Sequence, residues 1–336
     1  MAYKNNYNKH DNFRGNSFSS LKYFPRKKVR LFTHNDLDGY AAYIVARCYF
    51  PKEDIFVEYC THENIDDRLE HFMKTITYGV DYVFITDIAM KTIETANKIE
   101  ICNILMDDVT VKLLDHHKDA LFLNEYSFAD VEIERNDEFI CGSMLFYRYL
   151  IDELNFPRNI TLEKWLKIVN DYDTWLWEDK YHYELPKLWN ELFFFYERNL
   201  FVENTLKKIQ KNNLEFSNME KTYLDLEHGK QKSYIKSRIK NSSLKTIQGY
   251  KCAIVFGEQY INELATALYE EFPESEIQII ITGKNISYRS RNKELAIDLN
   301  EFASHFDGGG HENAAGSPIT NKMRDAYLNM LFSLEE

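Results

Sequence analysis

Val111-Lys112-Leu113-Leu114-Asp115-His116-His117 decides the reading of this chain. A short apolar run, Val109 to Leu114, empties directly into three side chains able to bind metal or move protons. A run of that length, bounded by polar residues, reads as a buried strand. The same form occurs twice upstream. Val29 to Thr33 ends at His34, and Val80 to Thr86 ends at Asp87. Helical patterns stand between and after these runs: Tyr40 to Phe50, Ile93 to Lys98, Cys141 to Leu154 and Thr161 to Val169. Short apolar strands alternating with helices predict an α/β fold with a parallel sheet, whose ligands sit beyond the carboxyl ends of the strands. His34, Asp87 and Asp115 fall at those ends.

The 336 residues allow two domains. Leu188 to Lys240 is long, charged and aromatic, and reads as helices joining them. Beyond it, Cys252 to Phe256, Ile277 to Thr282 and Ile286 to Arg291 are strand candidates, with Asn262 to Phe272 a helix. The expected organisation is a flexible polar leader over 1–25, a catalytic domain over 26–187, a helical linker over 188–240 and a substrate-binding domain over 241–336.

Composition narrows the function. A formal net charge of −12 argues against coating long nucleic acid by phosphate neutralisation. A short anionic substrate remains open if metal ions and a few arginines supply local positive charge. No apolar run approaches the roughly 20 residues of a membrane helix, and the N-terminus has no secretory signal. Five scattered cysteines without Cys-x-x-Cys spacing fit a reduced, cytoplasmic chain.

Four clusters carry the chemistry. In His34-Asn35-Asp36-Leu37-Asp38-Gly39, alternate side chains would share one face if the segment is extended. Carboxylates with imidazole suit Mn²⁺ or Mg²⁺. Asp87 and Asp115-His116-His117 follow the next two strands, and Asp171-Tyr172-Asp173-Thr174-Trp175 follows a helix. Alone, the first and fourth clusters read equally well as a cap or a solvated turn, Asp87 reads better as a helix cap, and two consecutive histidines beside Asp115 are harder to explain structurally. Together they supply enough carboxylates for two ions roughly 3.5–4 Å apart, an arrangement that clamps a phosphoryl centre. Near the C-terminus, Gly308-Gly309-Gly310-His311 offers a backbone nest for an anion, and Arg289, Ser290 and Arg291 place two arginines on one side.

These motifs, in this order over about residues 28 to 320, resemble the DHH phosphoesterases. The first four clusters match the family's metal motifs. Gly308-Gly309-Gly310-His311-Glu312-Asn313-Ala314-Ala315-Gly316 looks like the signature of its DHH-associated C-terminal domain. Within the family the chain is most similar to the nanoRNase B, or oligoribonuclease, type.

The resemblance implies an α/β fold: an N-terminal parallel-sheet domain, a smaller α/β C-terminal domain and a cleft between them. It implies a Mn²⁺-dependent phosphodiesterase that cuts nanoRNA or short DNA to mononucleotides, with two Mn²⁺ per active site and Mg²⁺ as a substitute. His34, Asp36, Asp38, Asp87, His116 and Asp171 would hold metal, Asp87 as the bridge. Asp171 is preferred to Asp173 because Trp175 stands four positions after it. Asp115 and His117 would be the catalytic pair, His117 handling protons or supporting the ligands and Asp115 orienting the histidines by a hydrogen bond. Arg289, Ser290, Gly308, Gly309, Gly310 and His311 would bind substrate. The expected partners are a short single-stranded oligonucleotide or small nucleotide and a second copy of the chain in a homodimer, with no membrane. The alternatives are a phosphodiesterase on cyclic (di)nucleotides, their linear products or pAp, a RecJ-like single-strand exonuclease, and a catalytically dead nucleotide-binding module.

Overall fold

The structure, a computed structural model, describes residues 27–332 apart from 76–78, 106–107, 136, 181, 291–296 and 313. The leader expected over 1–25 and Arg291 lie outside the described residues. The chain divides into two compact units, Met1–Glu215 and Phe216–Glu336.

The first unit is built on five strands: β1 (Val29–His34), β2 (Ile55–Cys60), β3 (Tyr82–Thr86), β4 (Thr110–Asp115) and β5 (Ala129–Val131). They are all parallel, in the order β2-β1-β3-β4-β5. The helices are α1 (Leu37–Tyr49), α2 (Ile65–Thr75), α3 (Ile93–Leu105), α4 (Gly142–Asp152), α5 (Ile160–Asp173), α6 (Leu176–Asp179), α7 (Leu185–Phe195) and α8 (Arg198–Gln210). The central strands are buried on both faces, as parallel strands between helices must be. Phe32, Val83, Ile85 and Leu113 pack with Ile65 and Leu69 of α2 and Ala96 and Ile99 of α3. On the opposite face Phe84 meets Phe146 of α4, ring centroids 4.7 Å apart. The alternation of Val83, Phe84 and Ile85 between two helical layers is the period-2 geometry of a strand.

The strand order reverses between β1 and β3, because the chain builds β2 outward on one side and β3, β4 and β5 on the other. Such a switch point opens a crevice at the carboxyl ends of the two strands. Local sequence then fixes what enters it. Asp36 caps α1 by accepting from the Gly39 amide at 3.0 Å. Asn159 caps α5 by accepting from the Thr161 and Leu162 amides.

The stretch 188–240 is shared between the units. Trp189, Leu192 and Phe193 of α7 are buried, and so are Phe201, Val202 and Leu206 of α8. Trp189 packs edge-on to Trp165 of α5 at 5.8 Å. In the second unit α9 (Asn218–Ile239) begins with a capping box between Ser217 and Glu220.

The second unit continues with β8 (Ser243–Ile247), β9 (Tyr250–Phe256), α10 (Ile261–Glu271), β10 (Ile277–Ile281), β11 (Asn285–Arg289), α11 (Leu299–Ser304), β12 (Gly309–His311), β13 (Ala314–Pro318) and α12 (Asn321–Phe332). Here β6 and β7 are a separate short hairpin of the first unit, Glu134–Arg135 with Glu138–Phe139. The sheet order is β12-β13-β11-β10-β9-β8, with β9 and β10 parallel and the other pairs antiparallel. Tyr288, Leu299 and Phe302 fill one face, while Val255, Leu264 and Leu268 fill the other. The fold class is therefore the expected one, a parallel-sheet α/β unit followed by a smaller α/β unit with its own sheet. No helix among the described residues is long and apolar enough to cross a membrane.

Candidate metal centre

The carboxyl edge of the first sheet collects the acidic and histidine side chains. His34 ends β1, Asp36 caps α1, Asp38 lies in its first turn, Asp87 follows β3, and Asp115 ends β4 ahead of His116 and His117. Asp173 ends α5. Potential ligand atoms fall into three groups, each with all atoms within 4.8 Å of one another: His34, Asp36 and Asp87; Asp38, His116 and Asp173; Asp87, His116 and His117. Asp87 and His116 each belong to two groups, so the three form one continuous cluster.

Several of these side chains are held by hydrogen bonds, some within the cluster and some from neighbouring elements. The Asp36 Oδ2 lies 2.7 Å from His34 Nδ1. Asp38 accepts from the Ser143 amide at 3.2 Å and from the Ser143 hydroxyl, both at the start of α4. The Asp115 Oδ1 lies 2.9 Å from His117 Nδ1, fixing that ring's tautomer when Nδ1 carries the proton. Asp87 sits in the left-handed region at φ 57°, which Asp tolerates better than most residues. Its amide donates to Leu114 O at 3.1 Å, tying it to the end of β4. Gly142 then packs on its backbone: a Cβ there would lie 2.6 Å from Asp87 Cα. Gly142→Ala is therefore expected to cost about 1–3 kcal/mol by overpacking and to push Asp87 out of register. Urea unfolding measures the first effect and turnover the second.

The cluster carries more negative charge than its own histidines balance. Burial, then the neighbouring Asp38 and Asp36, pushes the Asp87 carboxyl well above the ordinary range. Burial and the same two neighbours do this to Asp173. Burial pushes His116 down, whereas the Asp115 hydrogen bond pushes His117 up to about 9. Burial also raises Asp36, but the His34 hydrogen bond and the Gly39 amide outweigh it and leave that carboxyl low. Three buried carboxylate oxygens, Asp87 Oδ2, Asp115 Oδ2 and Asp173 Oδ2, have no hydrogen-bond partner among the described residues. Buried anions need a partner, and oxygen-rich clusters with imidazole find one in a divalent cation. The residues present therefore fit Mn²⁺ or Mg²⁺.

Asp171, the expected fourth-cluster ligand, is not among the side chains brought together; Asp173 is. Residues two apart on an α-helix point about 200° apart. Asp171 accordingly accepts from Lys167 Nζ at 2.7 Å and from the Tyr183 hydroxyl. The Asp173 Oδ2 lies 3.3 Å from His116 Nε2, within ion-pair distance.

One residue escaped the sequence reading. His62 follows β2, and its ring centroid lies 5.3 Å from that of His34 and 5.8 Å from that of His117. Burial and the adjacent His34 push its pKa down. A pocket of about 240 Å³ opens beside it, lined by His62, Lys91, His117, Asp119 and Phe122 among others. The signal was the strand itself: without β2, His62 has no address.

In the second unit, Arg289 ends β11, opposite Gln278 and Ala314. Its Nε donates to Asn262 Oδ1 at 3.0 Å, and Ser290 Oγ donates to Glu276 O at 3.3 Å. The glycine run leads into the edge strand β12, which ends at His311. Gly310, at φ 152°, would carry a Cβ 2.6 Å from Ala314 O, so close hairpin packing alone demands glycine there. The Gly308 amide donates to Ala303 O and the Gly310 amide to Asn300 Oδ1, both at 3.0 Å. The run therefore does not offer three free amides as a nest.

No protein-family model matches the chain. It is 30% identical over 312 residues to oligoribonuclease NrnB of Bacillus subtilis, covering 91% of this chain and 76% of that protein. It is 22% identical over 332 residues to a 3′,5′-cyclic-nucleotide phosphodiesterase of Helicobacter pylori, covering 87% and 93%. Among solved structures, PggH, a pGpG-specific phosphodiesterase from Vibrio cholerae, superimposes with a TM-score of 0.52 at 13% identity, covering 91% of this chain and 98% of that one. The DHH domain of a member of a family of ribosomal proteins superimposes with a TM-score of 0.51 at 14% identity, covering 92% and 88%. The two structural likenesses establish a shared fold.

Proposed function

The chain belongs to the DHH phosphoesterase family, and from that premise we propose that it is a Mn²⁺-dependent phosphodiesterase converting short oligonucleotides to mononucleotides. The observation that carries this reading is Asp87: a fully buried carboxylate shared by two groups of ligand atoms, with one oxygen unpartnered.

In this reading His34, Asp36, Asp38, Asp87, His116 and Asp173 would hold two divalent ions, with Asp87 common to two of the ligand-atom groups. When bound, such a pair supplies Lewis acidity to the phosphoryl oxygens and lowers the pKa of an attacking water. The chain's own residues do the rest. Ser143 holds Asp38 and Gly39 holds Asp36, which fixes both carboxylates at the start of α1. Asp115 holds the His117 ring through Nδ1 and leaves Nε2 to receive or deliver a proton at the reacting oxygens. Arg289, Ser290, Gly309 and His311 are proposed to hold substrate phosphate, with Gly308 and Gly310, whose amides are engaged, shaping the turn. The helices within 188–240 are proposed to join catalytic and substrate-binding domains.

A net charge of −12 suits a substrate short enough to be gripped by few contacts. The likeness to a named oligoribonuclease favours a linear substrate. A second reading, hydrolysis of cyclic nucleotides, takes support from the Helicobacter relative. A substrate panel separates the two. Purified protein with Mn²⁺ is incubated with labelled di- to pentaribonucleotides, the matching deoxy series, and 3′,5′-cyclic nucleotides. The first reading expects mononucleotide release from the shortest linear substrates at rates well above ring opening. Faster ring opening establishes the second, and no release from any linear substrate removes the first.

A further inference from the structure

Trp175 stands in the turn that ends α5, two residues beyond Asp173. Its backbone is left-handed, φ 60° and ψ 8°, a conformation that costs a bulky residue energy and that Gly or Asn would adopt more readily. Its side chain is 49% exposed, so core packing does not explain why Trp stands there. The ring lies near-parallel to that of Trp177, with centroids 6.1 Å apart and planes at 27°. Trp177 in turn lies near-parallel to Tyr172, at 6.3 Å and 16°.

The row is fixed at both ends. The Tyr172 hydroxyl accepts from Asn190 Nδ2 at 2.8 Å. The Trp175 amide donates to Tyr172 O at 3.2 Å, folding the turn back onto the last residues of α5. Asp173, between Tyr172 and Trp175, points its carboxylate at His116, 3.3 Å away. A strained, half-exposed aromatic plane thus stands two residues along the chain from a carboxylate of the metal cluster. The flat partner such a plane accepts beside a phosphodiester is a nucleobase, whose π-face stacks on indole regardless of base identity.

We propose that Trp175, backed by Trp177 and Tyr172, is the stacking platform for the nucleobase next to the scissile phosphate. The role rests on the phosphodiesterase reading above. It makes Trp175 a specificity residue: it separates base-bearing nucleotides from other phosphodiesters without reading sequence.

The test compares a dinucleotide with its abasic analogue, in which each sugar is a tetrahydrofuran ring carrying hydrogen in place of the base and the phosphate linkage is kept. Wild type, Trp175→Gly and Trp175→Phe are assayed with Mn²⁺ on both. Glycine suits the left-handed backbone, so the first variant removes the ring while relieving strain. The ratio of kcat/KM for the base-bearing over the abasic substrate is expected to fall roughly tenfold in Trp175→Gly, within the range of base–aromatic stacking. Trp175→Phe is expected to restore most of it. An unchanged ratio in Trp175→Gly, or equal loss on both substrates, overturns the platform; equal loss assigns the ring to the sugar or to the fold. Should Trp175→Gly fail to fold by thermal melt, Trp175→Phe and Trp175→Leu decide the matter: equal ratios overturn it. A wild type inactive on the dinucleotide sinks the phosphodiesterase reading itself, and the platform with it.

Discussion

Asp87→Asn is expected to give a folded protein that has lost more than about a hundredfold of its turnover on short oligonucleotides. Residues that merely support metal ligands commonly cost 10–100-fold when removed, and Asp87 is proposed to serve two ions directly. Asparagine keeps the shape and favours the left-handed backbone found at this position, so the fold has no reason to fail. The variant also has a signature besides activity. In the metal-free protein, the Asp87 carboxyl is buried beside the carboxylates of Asp36, Asp38, Asp115 and Asp173. A neutral amide relieves that repulsion, so Asp87→Asn is expected to melt no lower than wild type without metal. Added Mn²⁺ is expected to raise the wild-type melting temperature, because a ligand that binds only the native state stabilises it. The same addition is expected to leave the Asp87→Asn melt nearly unmoved. Melting curves with and without Mn²⁺, beside turnover, check all of this; full activity in the variant would remove Asp87 from the centre.

The second large effect separates two carboxylates two residues apart. Asp173→Asn is expected to lower turnover by about a hundredfold or more, since its carboxylate shares a group with Asp38 and His116. Asp171→Asn is expected to stay within about tenfold of wild type, because Asp171 faces Lys167 and Tyr183. Its loss shows in stability. Lys167 is half exposed, so the ion pair contributes little, and the part-buried hydrogen bond from Tyr183 supplies most of a destabilisation of about 1 kcal/mol. Parallel urea titrations and dinucleotide assays of the two variants distinguish them. A large activity loss in Asp171→Asn alone would restore Asp171 as the ligand.

Much of the fold and of the cluster is legible in the chain because its central strands are buried on both faces. The runs ending at His34, Asp87 and Asp115 are unbroken enough to read as parallel strands, and a parallel sheet sends its ligands to those ends. What cannot be read is what depends on an edge or a helical angle. Ile55–Cys60 is an edge strand with a mixed burial pattern, so neither it nor His62 beyond it stands out. Asp171 and Asp173 look alike in sequence; only the helical state of α5 through Asp173 decides which one turns inward. The glycine run reads as an anion nest, but two of its amides are engaged by Ala303 and Asn300, partners no local pattern reveals. Leu188 to Lys240 reads as one linker because its helices show no gap in charge. The burial of Trp189 and Phe201 is tertiary information.

The central claim is that the carboxylates gathered at the switch point between β1 and β3 hold the ions that cleave a phosphodiester. Its most direct test is mononucleotide release from a labelled dinucleotide by metal-stripped protein as Mn²⁺ is added back. The account predicts no release without metal and a saturable rise with Mn²⁺. Equal release with and without metal, or none at any Mn²⁺ concentration, would contradict it.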